Sequence, residues 1–489
     1  MAILAIDAGT TGVTVQVVST KGKVLSRGYR EFLQYFPAPG LVEHEPEEIW
    51  QATLAAASEA LSQYSEPIVT VGITNQRETV VLWDRDSLRS PRKAIVWQDR
   101  RTSDLVSELK AQGLENKIQE ISGLKLDPYF SSSKLLWLSQ NEKTIWSGVV
   151  SGQIKIGTVD SYLVARMSSG KSHITDASNA SRTQLMDIRT GNWSSELLEI
   201  FKVPAIALPT IVPSYGMLAT TDPASFLNLE LPITGIAGDQ QAALFGQTAY
   251  MVGESKCTYG TGAFMLTNTG STIVRSSNNL LTTIAWQEPN GEITYALEGS
   301  VFVAGAAVQW LRDGLGVIES ANEIEQMALE VPDSGGVVFV PALTGLGAPH
   351  WNPDAKGTIL GLTRGSTKHH LARATLDAIA FQIRDLVTAI SADTKTKPTE
   401  LRVDGGAARN NLLMQLQANC LGVPVIRGKD LESTALGAAF LAGLGVGVWG
   451  SKEELTTVFE LDSIFKPEPF EESIFESWSR AVNLTTKWK

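Results

Sequence analysis

Asp7, Thr10 and Thr11 stand together in Asp7-Ala8-Gly9-Thr10-Thr11-Gly12, and a second glycine–threonine turn, Tyr259-Gly260-Thr261-Gly262, lies in the other half of the chain. Glycine lets a backbone approach a ligand closely and take positive φ, while free amides and threonine hydroxyls donate to phosphate oxygens. A carboxylate beside such a turn can hold a hydrated divalent cation against phosphates. Aspartate at a strand-to-turn junction also makes Asx-turns, so both readings stand for Asp7. Two such turns in separate halves point to two related lobes gripping one polyphosphate across a cleft.

Asp239, in Gly238-Asp239-Gln240-Gln241, sits between an extended run and an apolar helix. Aspartate there caps a helix, and a carboxylate at a strand end in a cleft also accepts a hydroxyl proton during phosphoryl transfer. Asn75-Gln76-Arg77-Glu78 is a polar cluster between two strands. Its adjacent opposite charges suit either paired hydrogen bonds to a polyol or a surface ion pair. Trp97, Tyr129 and Phe264 can wall such a pocket, although single aromatics commonly fill cores. Val403-Asp404-Gly405-Gly406, followed by Asn410 and a helix, leaves backbone open for a flat ring such as adenine.

Extended runs at residues 3–6, 13–18, 69–73 and 79–83 alternate with helical stretches, which favours an α/β sheet. A helix is expected from Pro46 to about Leu61, with proline at its first position and Glu47 and Glu48 complementing the macrodipole. The second half repeats the theme with runs at 255–258, 263–267 and 401–403. Its clearest helix covers 368–390, where Leu376, Ile379, Ile383, Leu386 and Ile390 mark one buried face. A boundary near residue 247, after the helix 240–245, divides the chain into 1–247 and 248–489, sharing an extensive hinge. The charged tail 466–489 is expected to end in a surface helix.

The 489 residues are 43% hydrophobic with a formal charge of −11, enough for two large cores and opposed to nucleic-acid binding. Two cysteines make no disulfide framework and five scattered histidines show no metal-ligand spacing, which fits a cytoplasmic setting. The first apolar run ends at Asp7 with no basic flank and reads as a strand, not a signal peptide. The uncharged stretch 433–451 is broken by small residues and reads as a buried helix in close contact with a neighbour, not as a membrane span.

Together these residues resemble the glycerol kinases of the FGGY carbohydrate kinase family. The resemblance runs through Gly72-Ile73-Thr74-Asn75-Gln76-Arg77-Glu78-Thr79, Trp97-Gln98, Asp127-Pro128-Tyr129-Phe130, Asn179-Ala180-Ser181-Arg182 and residues 235–247. It continues through Tyr259-Gly260-Thr261-Gly262, 343–349, Gly361-Leu362-Thr363-Arg364-Gly365 and 402–406. It implies an α/β fold of two actin-like, ribonuclease H-like lobes of the hexokinase–actin superfamily around an interdomain cleft. It implies that Arg77, Glu78, Tyr129, Asp239 and Gln240 hydrogen-bond glycerol, with Trp97 and Phe264 packed on its carbons and Asp239 as general base. ATP would be held by Thr10, Thr11, Gly12, Thr261, Gly305, Gln309, Gly406 and Asn410, and Mg2+ by Asp7 and Asp239. A homo-oligomer, dimer or tetramer, is also implied.

Two departures matter. Glycerol kinases usually carry glutamine and a phosphate-contacting arginine where this chain has Ala8 and Thr14. A charge-assisted hydrogen bond contributes roughly 1.5–3 kcal/mol, so its loss would weaken ATP use and Thr14→Arg is expected to raise efficiency. Some bacterial relatives are inhibited by fructose 1,6-bisphosphate through an arginine where this chain has Glu230, which should repel the sugar phosphate. A kinase for another polyol or ketose, and a weakly active nucleotide- or polyol-binding sensor, are the competing readings.

Overall fold

The structure is a computed structural model and describes residues 1–488. The first lobe is built on a six-stranded sheet. Its elements are β1 (Ala2–Ala8), β2 (Gly12–Ser19), β3 (Val24–Glu31), α1 (Pro46–Ser62), β4 (Ile68–Asn75), β5 (Tyr215–Thr220), β6 (Pro232–Gly238) and α2 (Asp239–Gly246), with strand order β5-β6-β4-β1-β2-β3. β1 pairs antiparallel with β2 and parallel with β4, and β6 runs parallel to β4.

The second lobe repeats this order. Its strands are β7 (Ser255–Tyr259), β8 (Ala263–Gly270), β9 (Leu281–Gln287), β10 (Ile293–Val301), β11 (Leu401–Asp404), β12 (Val425–Gly428) and β13 (Leu461–Phe465), ordered β13-β12-β11-β7-β8-β10-β9. Its helices include α3 (Gly305–Asp313), α4 (Lys368–Thr394), α5 (Asn411–Leu421), α6 (Ser433–Gly445) and α7 (Glu472–Thr485). Again the first hairpin strand, β7, pairs antiparallel with the next and parallel with a later one, β11. The two sheets therefore share one arrangement of paired strands, with β9 added at an edge of the second and the opposite edge strand coming after its neighbour in the chain, where in the first sheet it comes before.

The helices form where the sequence places them. α1 starts on Pro46 at its first turn, with Glu47 and Glu48 beside it, and buries Ile49, Trp50, Ala56 and Ala57 against the first sheet. α4 is launched by a capping box at Thr367 and buries Leu376, Ile379, Ile383, Leu386 and Ile390, each worth roughly 1.5–3 kcal/mol of transfer free energy. It runs beyond Ile390 to Thr394 and stops where Lys395 takes a left-handed φ of 59°. The expected strand at 79–83 is shorter in the fold, pairing from Val81 to Asp84, because Glu78 at φ 62° breaks the extended backbone before it.

The helix expected over 433–451 ends earlier, at Gly445, with Gly447 at φ 76° in the following turn. It is buried as expected, and it lies on the first lobe's sheet although in sequence it falls between β12 and β13 of the second lobe. A Cβ at Gly72 of β4 would sit 2.2 Å from the Ala438 carbonyl oxygen, and one at Gly437 only 1.8 Å from that of Ala242 in α2. One hydrophobic cluster joins both lobes through α6: Ile3, Ala5, Ala237, Phe245, Leu266, Trp286 and Phe440. The tail helix α7 is on the surface but buries Trp478, Ala481 and Val482 in the second core. Cys257 and Cys420 are both buried and unbridged. No helix among the described residues is long and apolar enough to cross a membrane.

Candidate active site

Three parallel strands end side by side. Ala8 at the end of β1 pairs with Asn75 at the end of β4, and Asn75 pairs with Gly238 at the end of β6. The register thus delivers Asp7, Arg77 and Asp239 to one edge, the place where open α/β sheets bind ligands. Asp239 is the first residue of α2, whose N-cap is Gly238; its Oδ1 accepts from the Gln240 amide at 2.7 Å and lies 3.0 Å from Arg77 Nε. Its side chain remains 28% exposed, so one carboxylate face is available in the cleft.

Arg77 is buried, and its partners are not the adjacent residue that sequence adjacency offers. Glu78 lies 3.9 Å from its Nε, whereas Glu298 of β10 accepts from Nη1 at 2.6 Å and from Nη2 at 3.0 Å. Nη1 also donates to Gln241 Oε1 at 3.2 Å. A guanidinium has five N–H donors in a fixed plane. With the far fork on Glu298 and the second Nη1 hydrogen on Gln241, one Nη hydrogen remains, that of Nη2 on the same edge as Nε–H, and Asp239 lies beside this edge at ion-pair distance. A donor and an acceptor therefore converge on one point.

Glu78 is held instead by Arg182, whose Nε donates to it at 2.6 Å and whose Nη2 donates to Glu298 at 3.1 Å. Burial raises the Glu78 carboxyl above the usual range, opposed by Arg182 and Arg77. Burial acts the same way on Glu298, but Arg182 and Arg77 outweigh it and hold that carboxyl at about 2. The surface ion-pair reading of Arg77 and Glu78 is thus replaced by a buried lattice of two arginines and two glutamates spanning both lobes.

The aromatic wall is assembled around it. Trp97 and Tyr129 meet edge to face with ring centroids 5.5 Å apart, and Trp97 Nε1 donates to Thr10 Oγ1 at 3.0 Å, tying the wall to the first glycine–threonine turn. Lys134, wholly buried and lowered by burial to about 7, donates to the carbonyls of Pro128 and Tyr129 and so fixes the turn that presents Tyr129. Phe264 pairs across the second hairpin with Thr258 and across to Ser300, on the sheet face that also carries Lys256 and Glu298. Lys256 donates to Gln240 Oε1 at 2.5 Å and to Thr258 Oγ1 at 2.9 Å. Lysine only donates, so the Gln240 carbonyl end is occupied and its NH2 is the end left for a ligand.

The nucleotide candidates fall in two groups. Thr261, Gly305, Gln309, Gly406 and Asn410 line one cavity of about 370 Å³, with Leu376 and Ile379 of α4 as its apolar side. A Cβ at Gly406 would meet nothing within 4 Å, while one at Gly305 would meet the Gly260 carbonyl at 2.6 Å; the first glycine opens space and the second allows α3 to start against the turn. Asn410 caps α5 through its carbonyl, accepting from the Leu413 amide at 2.8 Å, which leaves its NH2 unused. Thr10, Thr11 and Gly12 lie on the first lobe's turn, closed by a Gly9 amide to Gly12 carbonyl bond of 3.0 Å, as Gly260 to Gly262 closes the second at 2.9 Å. Among the described residues the amides of Thr10, Thr11 and Thr261 have no protein acceptor. A larger cavity, about 460 Å³, lies on the other side of α4 beside Arg373 and Trp478 and holds none of these residues.

Asp7 lies within β1, not in an Asx-turn, and its carboxylate accepts no backbone amide among the described residues. Burial, then the neighbouring Asp239 carboxylate, push it up to about 8. A buried carboxylate beside a second one is a fit for a divalent cation. Among the described residues no group of three or more His, Cys, Asp or Glu forms a metal-holding cluster. Glu298, Arg182, Lys256 and Lys134 were missed as site residues. The available signal for Glu298 was a single charge inside the apolar run Tyr295-Ala296-Leu297-Glu298.

The profile of the FGGY family of carbohydrate kinases, N-terminal domain, matches residues 2–246, and that of its C-terminal domain matches residues 255–446. A glycerol kinase of Trichlorobacter lovleyi is 52% identical, covering 99% of each chain. One of Carboxydothermus hydrogenoformans is 48% identical over 100% of this chain and 98% of the relative. Among solved structures, a Plasmodium falciparum glycerol kinase with ADP superposes with a TM-score of 0.92 at 35% identity, over 99% of this chain and 98% of that one.

Proposed function

The chain belongs to the FGGY family of carbohydrate kinases, and from that membership we propose that it is an ATP-dependent glycerol kinase, giving sn-glycerol 3-phosphate and ADP. The observation that carries this reading is the edge shared by Arg77 and Asp239, with their 3.0 Å contact and a spare Nη2 hydrogen of Arg77 beside a partly exposed carboxylate. A terminal hydroxyl there donates to Asp239 while its oxygen accepts from Arg77 Nη2. Gln240 NH2 and the Glu78 carboxylate serve the other hydroxyls, and Trp97, Tyr129 and Phe264 pack on the carbons. That wall favours a three-carbon polyol over a longer sugar.

Asp239 removes the hydroxyl proton as the oxygen attacks the γ-phosphorus in line, and the amides of Thr10, Thr11 and Thr261 donate to phosphate oxygens. Adenine occupies the cavity at Gly406 and Asn410. Magnesium, held by Asp7 with Asp239 nearby, would supply charge neutralisation on the phosphates. Closure of the lobes excludes water from the transfer. We place the division of the lobes near residue 247, and the protein in the cytoplasm as a homo-oligomer.

The test is ADP release by purified protein with ATP, magnesium and either glycerol or a panel of polyols and ketoses. Glycerol is expected to give the highest kcat/KM. Asp239→Asn is expected to lower kcat by roughly 10²- to 10⁴-fold with nucleotide affinity retained. Undiminished turnover in that variant would remove Asp239 from the base role, and preference for a ketose would overturn the substrate.

A further inference from the structure

Arg27 of β3 pairs across the sheet with Gln16 of β2, Tyr29 pairs with Thr14, and Thr14 pairs with Asp7 of β1. Directly opposed residues share a sheet face, as do alternate residues of one strand. Asp7, Thr14, Gln16 and Arg27 therefore all lie on the face covered by α6, below the first glycine–threonine turn. With strands about 4.8 Å apart and about 3.4 Å of rise per residue, the Arg27 backbone is roughly 12 Å from that of Asp7. A long arginine side chain spans much of this distance.

The Arg27 side chain is held but not consumed. Its Nη2 lies 2.5 Å from Glu432 Oε1, immediately before α6, and Gln16 Nε2 donates to the other Glu432 oxygen at 3.3 Å. Its side chain is 48% exposed, and among the described residues Glu432 is its sole acceptor, so most of its N–H groups are free. Thr14, the residue opposite Asp7 on this face, has no charge, so Arg27 is the cationic side chain that the pairing of β1, β2 and β3 sets on the face with Asp7. A polyphosphate arriving at Thr10 and Thr11 would otherwise meet carboxylates.

We propose that Arg27 is the first lobe's cationic phosphate contact, donating to the β- and γ-phosphate oxygens of the nucleotide, with Glu432 and Gln16 holding its guanidinium in place. The assignment rests on the kinase reading and supplies from a different strand the charge missing at Thr14. It also relocates the benefit expected of Thr14→Arg: a second guanidinium helps little beside Arg27 and much where Arg27 is absent. A surface ion pair alone would do none of this.

The test is calorimetric binding of AMP and of a non-hydrolysable ATP analogue, with magnesium, to the full chain and its variants. Arg27→Ala is expected to weaken the analogue roughly tenfold or more while AMP is unchanged. Arg27→Lys should recover part of the loss, and Arg27→Ala with Thr14→Arg most of it. Analogue affinity unchanged in Arg27→Ala, or AMP and the analogue weakened equally, would overturn the assignment. A parent chain that binds the analogue with this Arg27 dependence but does not phosphorylate glycerol would leave the assignment standing and overturn the substrate alone. A parent that binds no analogue would overturn both.

Discussion

Arg77 presents a ligand with one free Nη hydrogen, on the edge beside Asp239, because Glu298 and Gln241 occupy the other three. The orientation of that one donor depends on Glu298, which Arg182 and Arg77 keep ionised. Glu298→Gln keeps the shape but replaces one acceptor oxygen with a donor, so the Arg77 fork loses half its anchor and turns toward Asp239. The expected result is a rise in KM for glycerol of roughly tenfold or more, with KM for ATP changed far less. Some loss of thermal stability accompanies it, because a buried charge loses its partner. Equal changes in both KM values would show that Glu298 only supports the fold. The sequence displayed Arg77 and Glu78 as neighbours but not this lattice. Glu78 takes a left-handed backbone that sends its side chain to Arg182, and Glu298 is 221 residues away, a separation over which local pattern says nothing.

Elements were more legible than contacts, because a periodic apolar face or a glycine turn is written locally. Both hairpins, α1 and α4 fall where proline, acidic first turns and apolar spacing place them. What local pattern lacked was where an element stops and what it lies against. α6 illustrates both: its small residues signalled close contact, yet its end at Gly445 and its seat on the first lobe's sheet depend on tertiary packing. That seat makes a prediction. The atom facing Gly437 is the backbone carbonyl of Ala242, 1.8 Å from an added Cβ, and backbone cannot swing aside as a flexible side chain can. Gly437→Ala should therefore destabilise by roughly 1–3 kcal/mol or more, seen as a thermal midpoint several degrees lower. Gly365→Ala, whose nearest neighbour is the Thr363 hydroxyl at 3.7 Å, should stay within about 0.5 kcal/mol of the parent. Equal midpoints for the two variants would mean that α6 and α2 separate without cost.

At the scale of the whole molecule, each sheet carries a glycine–threonine turn in its first hairpin, and the α6 cluster and the Arg–Glu lattice join the halves that carry them. Such a frame transmits a surface event to the cleft only if a ligand can bind at the surface, and the chain's overall charge of −11 disfavours anions there. The segment leading into β6 shows how this applies locally. Leu229 and Leu231 are drawn into the first core, which leaves Glu230 between them exposed. The neighbouring Lys171 is already paired with Asp222 at 2.8 Å. A sugar bisphosphate approaching this segment meets an unpaired carboxylate and a cation that is engaged elsewhere. Glycerol-dependent ADP release should therefore be unchanged by millimolar fructose 1,6-bisphosphate at physiological ionic strength, where surface attraction from more distant lysines is screened. Inhibition that disappears when residues 228–231 are substituted would show that the segment binds the anion despite Glu230. Inhibition that survives those substitutions and is relieved by excess ATP would instead place the bisphosphate in the phosphate cleft, where Arg27 and the two turns already offer donors.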